Sequence, residues 1–523
     1  MRQLQRLSDG GSLFTLPFRV FIIITVLLTL ATTPAAAQDT VDATTLVGKY
    51  MCGYQGWFEC PGDGSGGGWF HWFNSQTPSY SSLNVDLFPD FTEYAASELF
   101  PTNMHYADGS VVKLNSAYPE ATEMRHFKWM KDYGIDGAWV QRFGPKHVGW
   151  TDFTNKVLLN CKKAAETYGR VFVVMYDVSG ANNATLFDDL TSDWKYLVDT
   201  FKVTQSVRYL KYKGKPLVSV WGFGFSDRSI TTDVAQNIIT WFQTGADPKY
   251  QATIMGGVND DWRTTTTAWA TVCRSVDIIS PWLVGRFGDT AGADSWKASH
   301  LVPDIAECKS LGKDYLPVIW PGFSWANMHQ GTTPQNQIPR LGGKLFWDQA
   351  YNCVSAGATM LYNAMFDEVD EATAILKACP KKSLAPADGY TLTLDADGYN
   401  LPSDWYLRLA GLAKQMLTGK IPVSKTMPID PSNPSRVAKG VCQSMPGSWM
   451  ERMSVNDNTL RIFLKSAGPV EIMIEKVNGR MAKVTRDNDA SRTIEIPISD
   501  LSSGVYVARI KSGNSEFVSK IVR

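Results

Sequence analysis

The sequence predicts a parallel (β/α)8 barrel followed by a small antiparallel β-sandwich. Three observations carry this. Eight short apolar runs are spread over residues 49–366 and alternate with amphipathic helical segments, the pattern of a parallel sheet covered on both faces. In four of these units a glycine stands between helix and strand, where a left-handed cap ends the helix. Beyond a proline-marked stretch the period shortens to β-rich runs separated by turn signals.

At the N-terminus, Arg2, Arg6 and Arg19 precede an apolar run from Val20 to Ala31, then Ala35-Ala36-Ala37. This is the layout of a secretory signal peptide, with cleavage expected after Ala37. The alternative is an uncleaved anchor. No other long apolar run occurs, so the mature chain is expected to lack a membrane span.

The strand candidates are Lys49 to Gln55, Ile135 to Gln141, Val171 to Tyr176, Pro216 to Trp221, Ala252 to Gly257, Asp277 to Trp282, Leu316 to Trp320 and Thr359 to Phe366. Eight strands alternating with helices argue for closure into a barrel. The clearest helices are Ala121 to Tyr133, Asn155 to Tyr168, His300 to Leu311 and Lys344 to Ala356, followed by Gly134, Gly169, Gly312 and Gly357. Met124, Phe127 and Met130 share one face of the first. Leu401 to Leu417 reads as a closing helix, and Pro422, Pro428, Pro431 and Pro434 mark a linker. The tail strands are Leu460 to Leu464, Val470 to Val477, Thr493 to Ile498, Val505 to Ile510 and Phe517 to Val522, with Asn478-Gly479 and Gly513-Asn514 as turns. The expected domains are therefore 1–37 signal peptide, 38–430 barrel, 431–443 linker and 444–523 sandwich.

Charge narrows the partners. The chain has 51 acidic and 51 basic residues and no basic stripe, which argues against nucleic acid and against an anionic membrane surface. None of the eight cysteines forms a Cys-x-x-Cys pair, and no histidine pair has ligand spacing, so neither a metal nor another cofactor is expected. Export permits disulfides. Cys52 and Cys60 are close enough to bridge across a glycine-rich turn, while most of the others sit in apolar stretches as buried thiols.

Barrel enzymes build their sites at the C-terminal ends of the strands. The richest end is the last: Asp367, Glu368, Asp370 and Glu371 fall within five positions straight after an apolar run. Crowding and burial raise carboxyl pKa values, which keeps a carboxylic acid protonated near neutral pH. Glycoside hydrolysis needs one carboxyl as acid and another as base or nucleophile. The competing reading is a solvated acidic loop, most plausible for Asp367 and Asp370. Other residues at strand ends suited to hold a sugar are Trp57, His71, Trp72, Gln141, Arg142, Asp177, Trp221, Arg286 and Trp320: aromatic platforms and hydrogen-bonding groups. Trp69 belongs with Trp72. The run Gly62 to Gly68 lacks the Lys-Ser/Thr ending of a phosphate loop. Asp395-Ala396-Asp397-Gly398 lacks the glutamate of a calcium loop and reads as a surface turn.

Glu368-Val369-Asp370-Glu371-Ala372-Thr373 resembles the Glu-x-x-Glu motif of glycoside hydrolase families 71 and 99, set there in Trp-Asn-Glu-Trp-His-Glu-Gly-Thr. The resemblance implies a barrel glycosidase acting on α-mannan or α-glucan. It casts Glu368 as the base on a substrate 2-hydroxyl and Glu371 as general acid/base, with the rest of the polar set binding a polysaccharide. Val369-Asp370 departs from the family's Trp-His, which leaves a non-catalytic glycan-binding barrel at the cell surface as the alternative. A second rival is a barrel hydrolase in which Asp177 is the acid. Leu501 to Arg523 resembles the C-terminal sorting domain of the type IX secretion system, which implies the secretion machinery as partner and a secreted or cell-surface location. An immunoglobulin-like accessory module is the alternative for that tail.

Overall fold

The protein was analysed as a computed structural model, which describes residues 40–143, 151–434, 450–456, 459–464, 468–476, 480–490, 493–502, 505–512 and 515–522. The predicted signal peptide, most of the linker, Cys442 and the turns at 478–479 and 513–514 lie outside the described residues.

Eight parallel strand segments form the barrel: β1 Tyr50–Tyr54, β2 Gly137–Phe143, β3 Val171–Asp177, β4 Lys215–Phe223, β5 Thr253–Val258, β6 Ile278–Pro281, β7 in two pieces (Asp314–Tyr315 and Val318–Ile319) and β8 Leu361–Asn363. They correspond one to one with the eight predicted runs. Neighbours pair in chain order from β1 to β7, and β1 also pairs β8. The split in β7 closes the ring, because Asp314–Tyr315 pairs β6 and Val318–Ile319 pairs β8. Across the split, Leu316 N donates to Ile279 O at 2.9 Å and Tyr362 N to Pro317 O at 3.0 Å.

Alternation along the strands sorts the apolar residues into two cores. One set fills the barrel: Met51, Trp139, Val173, Met175, Leu217, Met255 and Tyr362, with Trp221 and Trp320 at the end nearest the site loops. The other lies between strands and helices: Tyr54, Val140, Phe172, Val174, Val218 and Ile279, against Phe127, Leu158, Trp194 and Phe346. The helices Glu120–Tyr133, Thr151–Tyr168, Val302–Ser310, Lys344–Ser355 and Trp405–Leu417 match the predicted ones within a few residues. All four predicted capping glycines take positive φ. The proline segment after the closing helix still belongs to the barrel, since Ile429 is buried in the outer core and Trp347 Nε1 donates to Ser424 O.

The tail forms two antiparallel sheets, of three strands and four, around one apolar core that includes Leu460, Ile472, Ile496 and Ile510. Two of its strands, Met450–Asn456 and Met481–Ala490, were not expected from the sequence. The second reads Met-Ala-Lys-Val-Thr-Arg-Asp-Asn-Asp-Ala, an edge strand too polar to show a strand period.

The seven described cysteines are all free and buried. The Cys52–Cys60 bridge that the spacing allowed does not form. Cys52 lies inside β1 and Cys60 turns its thiol to the carbonyl of Asn115 at 3.2 Å.

Candidate active site

The loop leaving β8 carries the four carboxylates, and the structure gives them different tasks. Asp367 is a clamp. Its two carboxylate oxygens accept from the backbone N–H groups of Gln55 and Gly56, both at 2.8 Å, which ties the end of β8 to the end of β1. Burial raises its pKa to about 7 even against those hydrogen bonds. With both oxygens taken by backbone N–H groups, it serves as a structural clamp and not as a substrate-binding group, which corrects that expectation.

Glu368 is buried to the same extent, but its carboxylate is held by side chains and not by the backbone. One carboxylate oxygen accepts from Gln55 Nε2 at 2.6 Å and the other from Thr373 Oγ1 at 2.5 Å. Burial, then repulsion from Glu371 and Asp370, holds its pKa well above the usual carboxylate range. Glu371 is half-buried, and its carboxylate has no hydrogen-bond partner among the described residues. Burial, then the charge of Asp370, raises it to about 8. The site thus pairs one glutamate fixed by two donors with a second that is half-buried, and burial raises the pKa of both.

The backbone between them is held from outside. Thr373 N and Ala374 N both donate to Glu368 O. Ser324 N, from the loop after β7, donates to Glu371 O at 2.9 Å, and Asp86 fixes that loop through Ser324 Oγ and the N–H groups of Ala326 and Asn327. Arg340 is buried and donates to the carbonyls of Ala372 and Ala374, both at 2.8 Å. Ala372 sits at φ 52, the left-handed region that favours glycine, at the place where the family motif has glycine. We expect Arg340→Met to cost about 3 kcal/mol of stability, because two buried carbonyls lose charge-assisted donors. It should also lower kcat by releasing the glutamate loop. Denaturant unfolding and steady-state kinetics on one preparation check both.

Around this pair, several polar side-chain atoms are buried without a partner among the described residues: Gln55 Oε1, Trp57 Nε1, Gln141 Oε1, Trp221 Nε1 and Asp370 Oδ1. Buried polar atoms of this kind are usually paired, with protein or with water, and Trp139 Nε1 and Trp320 Nε1 deeper in the barrel share the feature. Gln141 Nε2 reaches Asp177 Oδ2 at 3.3 Å, and burial raises Asp177 to about 6 against its bonds from Ser179. Arg228 lies over the Trp221 ring at 5.3 Å. Arg286 is exposed and paired with Asp260 at 2.7 Å, on the rim. His71 Nδ1 lies 3.0 Å from Asp370 Oδ2, and its ring stacks on Trp57 at 3.7 Å.

Three other expectations are corrected. Arg142 points outward behind the sheet and pairs bidentately with Asp193, because Gln141 already takes the inward position. Trp72 is 1% exposed and donates its N–H to Asn115 O, so it packs beneath the site, and Trp69 is buried too. Trp320 is wholly buried in the barrel against Phe287 and offers no face. The residues that the sequence did not single out are Gln55, Thr373 and Arg340. Gln55 follows Gly53 at the period of an inward-facing strand position, which is its sequence signal. Arg340 carries no sequence signal.

Compared with solved structures, the chain is similar to the family 99 endo-α-mannosidase of Bacteroides thetaiotaomicron, with a TM-score of 0.53 and 16% identity over 72% of this chain and 99% of that one. The same enzyme in complex with bis-tris propane gives 0.52 at the same identity and coverage. The barrel has the family 99 fold. At this identity the likeness speaks for fold alone, and the family 99-like barrel carries its glutamate loop on the β8 end described above. Residues 456–523 match the secretion system C-terminal sorting domain. No curated protein sequence matches the chain.

Proposed function

We propose that the protein is an exported glycoside hydrolase that cleaves an α-mannan or α-glucan polysaccharide with Glu368 and Glu371. The observation that carries this reading is the carboxyl pair on one loop: one glutamate fixed by Gln55 and Thr373, the other half-buried, both raised above the usual carboxylate range by burial. A general acid must be protonated where the enzyme works, and Glu371 meets that condition. Burial raises both glutamates, so the base role of Glu368 follows from its position as the first glutamate of the motif and not from its pKa. Gln141, Asp177, Trp57 and Trp221 line the mouth as sugar-binding groups, with Arg286 at its rim.

Product analysis on a panel of α- and β-linked polysaccharides tests this. Oligosaccharides released from an α-mannan or α-glucan support the reading. Binding without release, unchanged by Glu371→Gln, identifies a glycan-binding barrel instead. The tail is proposed to hand the chain to the type IX secretion machinery, with the N-terminal segment acting as the signal peptide. Removing residues 456–523 is expected to leave the barrel folded but retained inside a producing cell, as fractionation and immunoblotting would show.

A further inference from the structure

Asp370 occupies the place where the motif of the resemblance has histidine. It is fully buried, lies between the two glutamates in sequence, and its Oδ1 has no partner among the described residues. Its Oδ2 lies 3.0 Å from Nδ1 of His71, a residue 299 positions earlier, in the loop after β1.

His71 is held unusually firmly for a loop residue. Its ring lies flat on Trp57, with centroids 3.7 Å apart and planes 7° off parallel. Phe70 and Phe58 meet it edge-on, at 4.6 and 6.1 Å. Its carbonyl accepts from Asn84 Nδ2 at 2.9 Å. Its backbone sits at φ 60, a conformation that costs a histidine about 1–2 kcal/mol and persists only where the surroundings hold it. Since Nδ1 meets a carboxylate oxygen, it is the nitrogen that carries the proton. That leaves Nε2 as the free position of the ring. It has no partner among the described residues, and the side chain is 23% exposed.

We propose that His71 and Asp370 form an imidazole–carboxylate dyad that presents Nε2 to a hydroxyl of the sugar bound beside Glu368 and Glu371. Asp370 is the positioning residue and His71 the group that touches substrate. Trp57 closes one face of the imidazole, so the contact is in the ring plane, through a hydrogen bond with a hydroxyl. The inference rests on the proposed glycosidase reading.

The test uses His71→Asn and His71→Gly in the full mature chain. Asparagine and glycine both tolerate φ 60. Asparagine keeps an amide N–H near Asp370 and lacks the Nε2 position. With an α-mannan or α-glucan that the wild type cleaves, His71→Asn should lower kcat/KM roughly 10- to 100-fold, the loss of one substrate hydrogen bond, while the protein remains folded at the assay temperature. His71→Gly should lose activity similarly and regain part of it when free imidazole is added, since the slot between Trp57 and Asp370 fits that ring. Wild-type kcat/KM in His71→Asn, or no imidazole rescue of folded His71→Gly, overturns the dyad while leaving the glutamate pair intact. A wild type that neither cleaves nor binds any glycan of the panel overturns the glycosidase reading, and the dyad falls with it.

Discussion

Glu371→Gln is expected to lower kcat by roughly 10²- to 10⁴-fold and, at neutral pH, to make the protein more stable. The two effects have one cause. Glu371 ionises near 4.5 in an unfolded chain and at about 8 in the folded protein, where burial and Asp370 oppose its charge. Between those values the native state binds more protons than the unfolded state, so stability is full below about pH 4.5 and falls as pH rises toward 8. Glutamine carries no charge to bury. The variant should therefore gain roughly 1–3 kcal/mol at pH 7.5 and little at pH 4. Glu368, Asp367 and Asp177 are raised for the same first reason, burial, so a shallower slope of the same sign should remain. Calorimetric unfolding of wild type and variant across pH 4–8, beside their kinetics, measures this. A variant less stable than wild type at pH 7.5 would mean that Glu371 is a structural anchor.

Arg142→Ala should be among the most destabilising single changes in the barrel, at about 3–5 kcal/mol. Arg142 Nε and Nη2 reach the two carboxylate oxygens of Asp193 at 3.0 and 2.6 Å, and Tyr176 Oη donates to the same carboxylate at 2.8 Å. The pair is almost wholly buried between β2 and the helix Leu186–Asp199, with side-chain exposures of 2% and 5%. Removing the cation leaves a buried carboxylate with one neutral donor. Replacing both partners, as Arg142→Met with Asp193→Leu, should recover much of the loss, because neither charge is then stranded. The folded fraction of Arg142→Ala should keep the wild-type KM. A raised KM would instead return Arg142 to the substrate site.

The Arg142 case shows where the sequence stops being legible. Strands covered on both faces lose the apolar–polar alternation that assigns a side, so Gln141 and Arg142 read as equal candidates although only one points inward. The same continuous apolar runs made all eight strands recognisable, and glycines after helices marked their ends. Tryptophans posed a second ambiguity. Trp57 and Trp221 keep a little exposure, at 8% each, whereas Trp72 and Trp320 are packed away at 1% and 0%, and composition alone cannot sort them. Within the acidic loop, Asp367 and Glu368 are neighbours with different tasks, because their partners Gln55 and Gly56 lie more than 300 residues away in sequence. The cysteines follow similar logic: spacing allowed a bridge, and burial of each thiol in a separate apolar setting decided against it.

Turnover and binding of one released oligosaccharide by Glu368→Gln, set beside Asp177→Asn, bears most directly on where the chemistry resides. Substitution at Glu368 should abolish turnover while the dissociation constant stays near that of wild type, and Asp177→Asn should weaken binding yet still turn over. Full activity in Glu368→Gln, or loss of turnover with intact binding only in Asp177→Asn, would contradict the assignment of the reaction to the glutamate loop after β8.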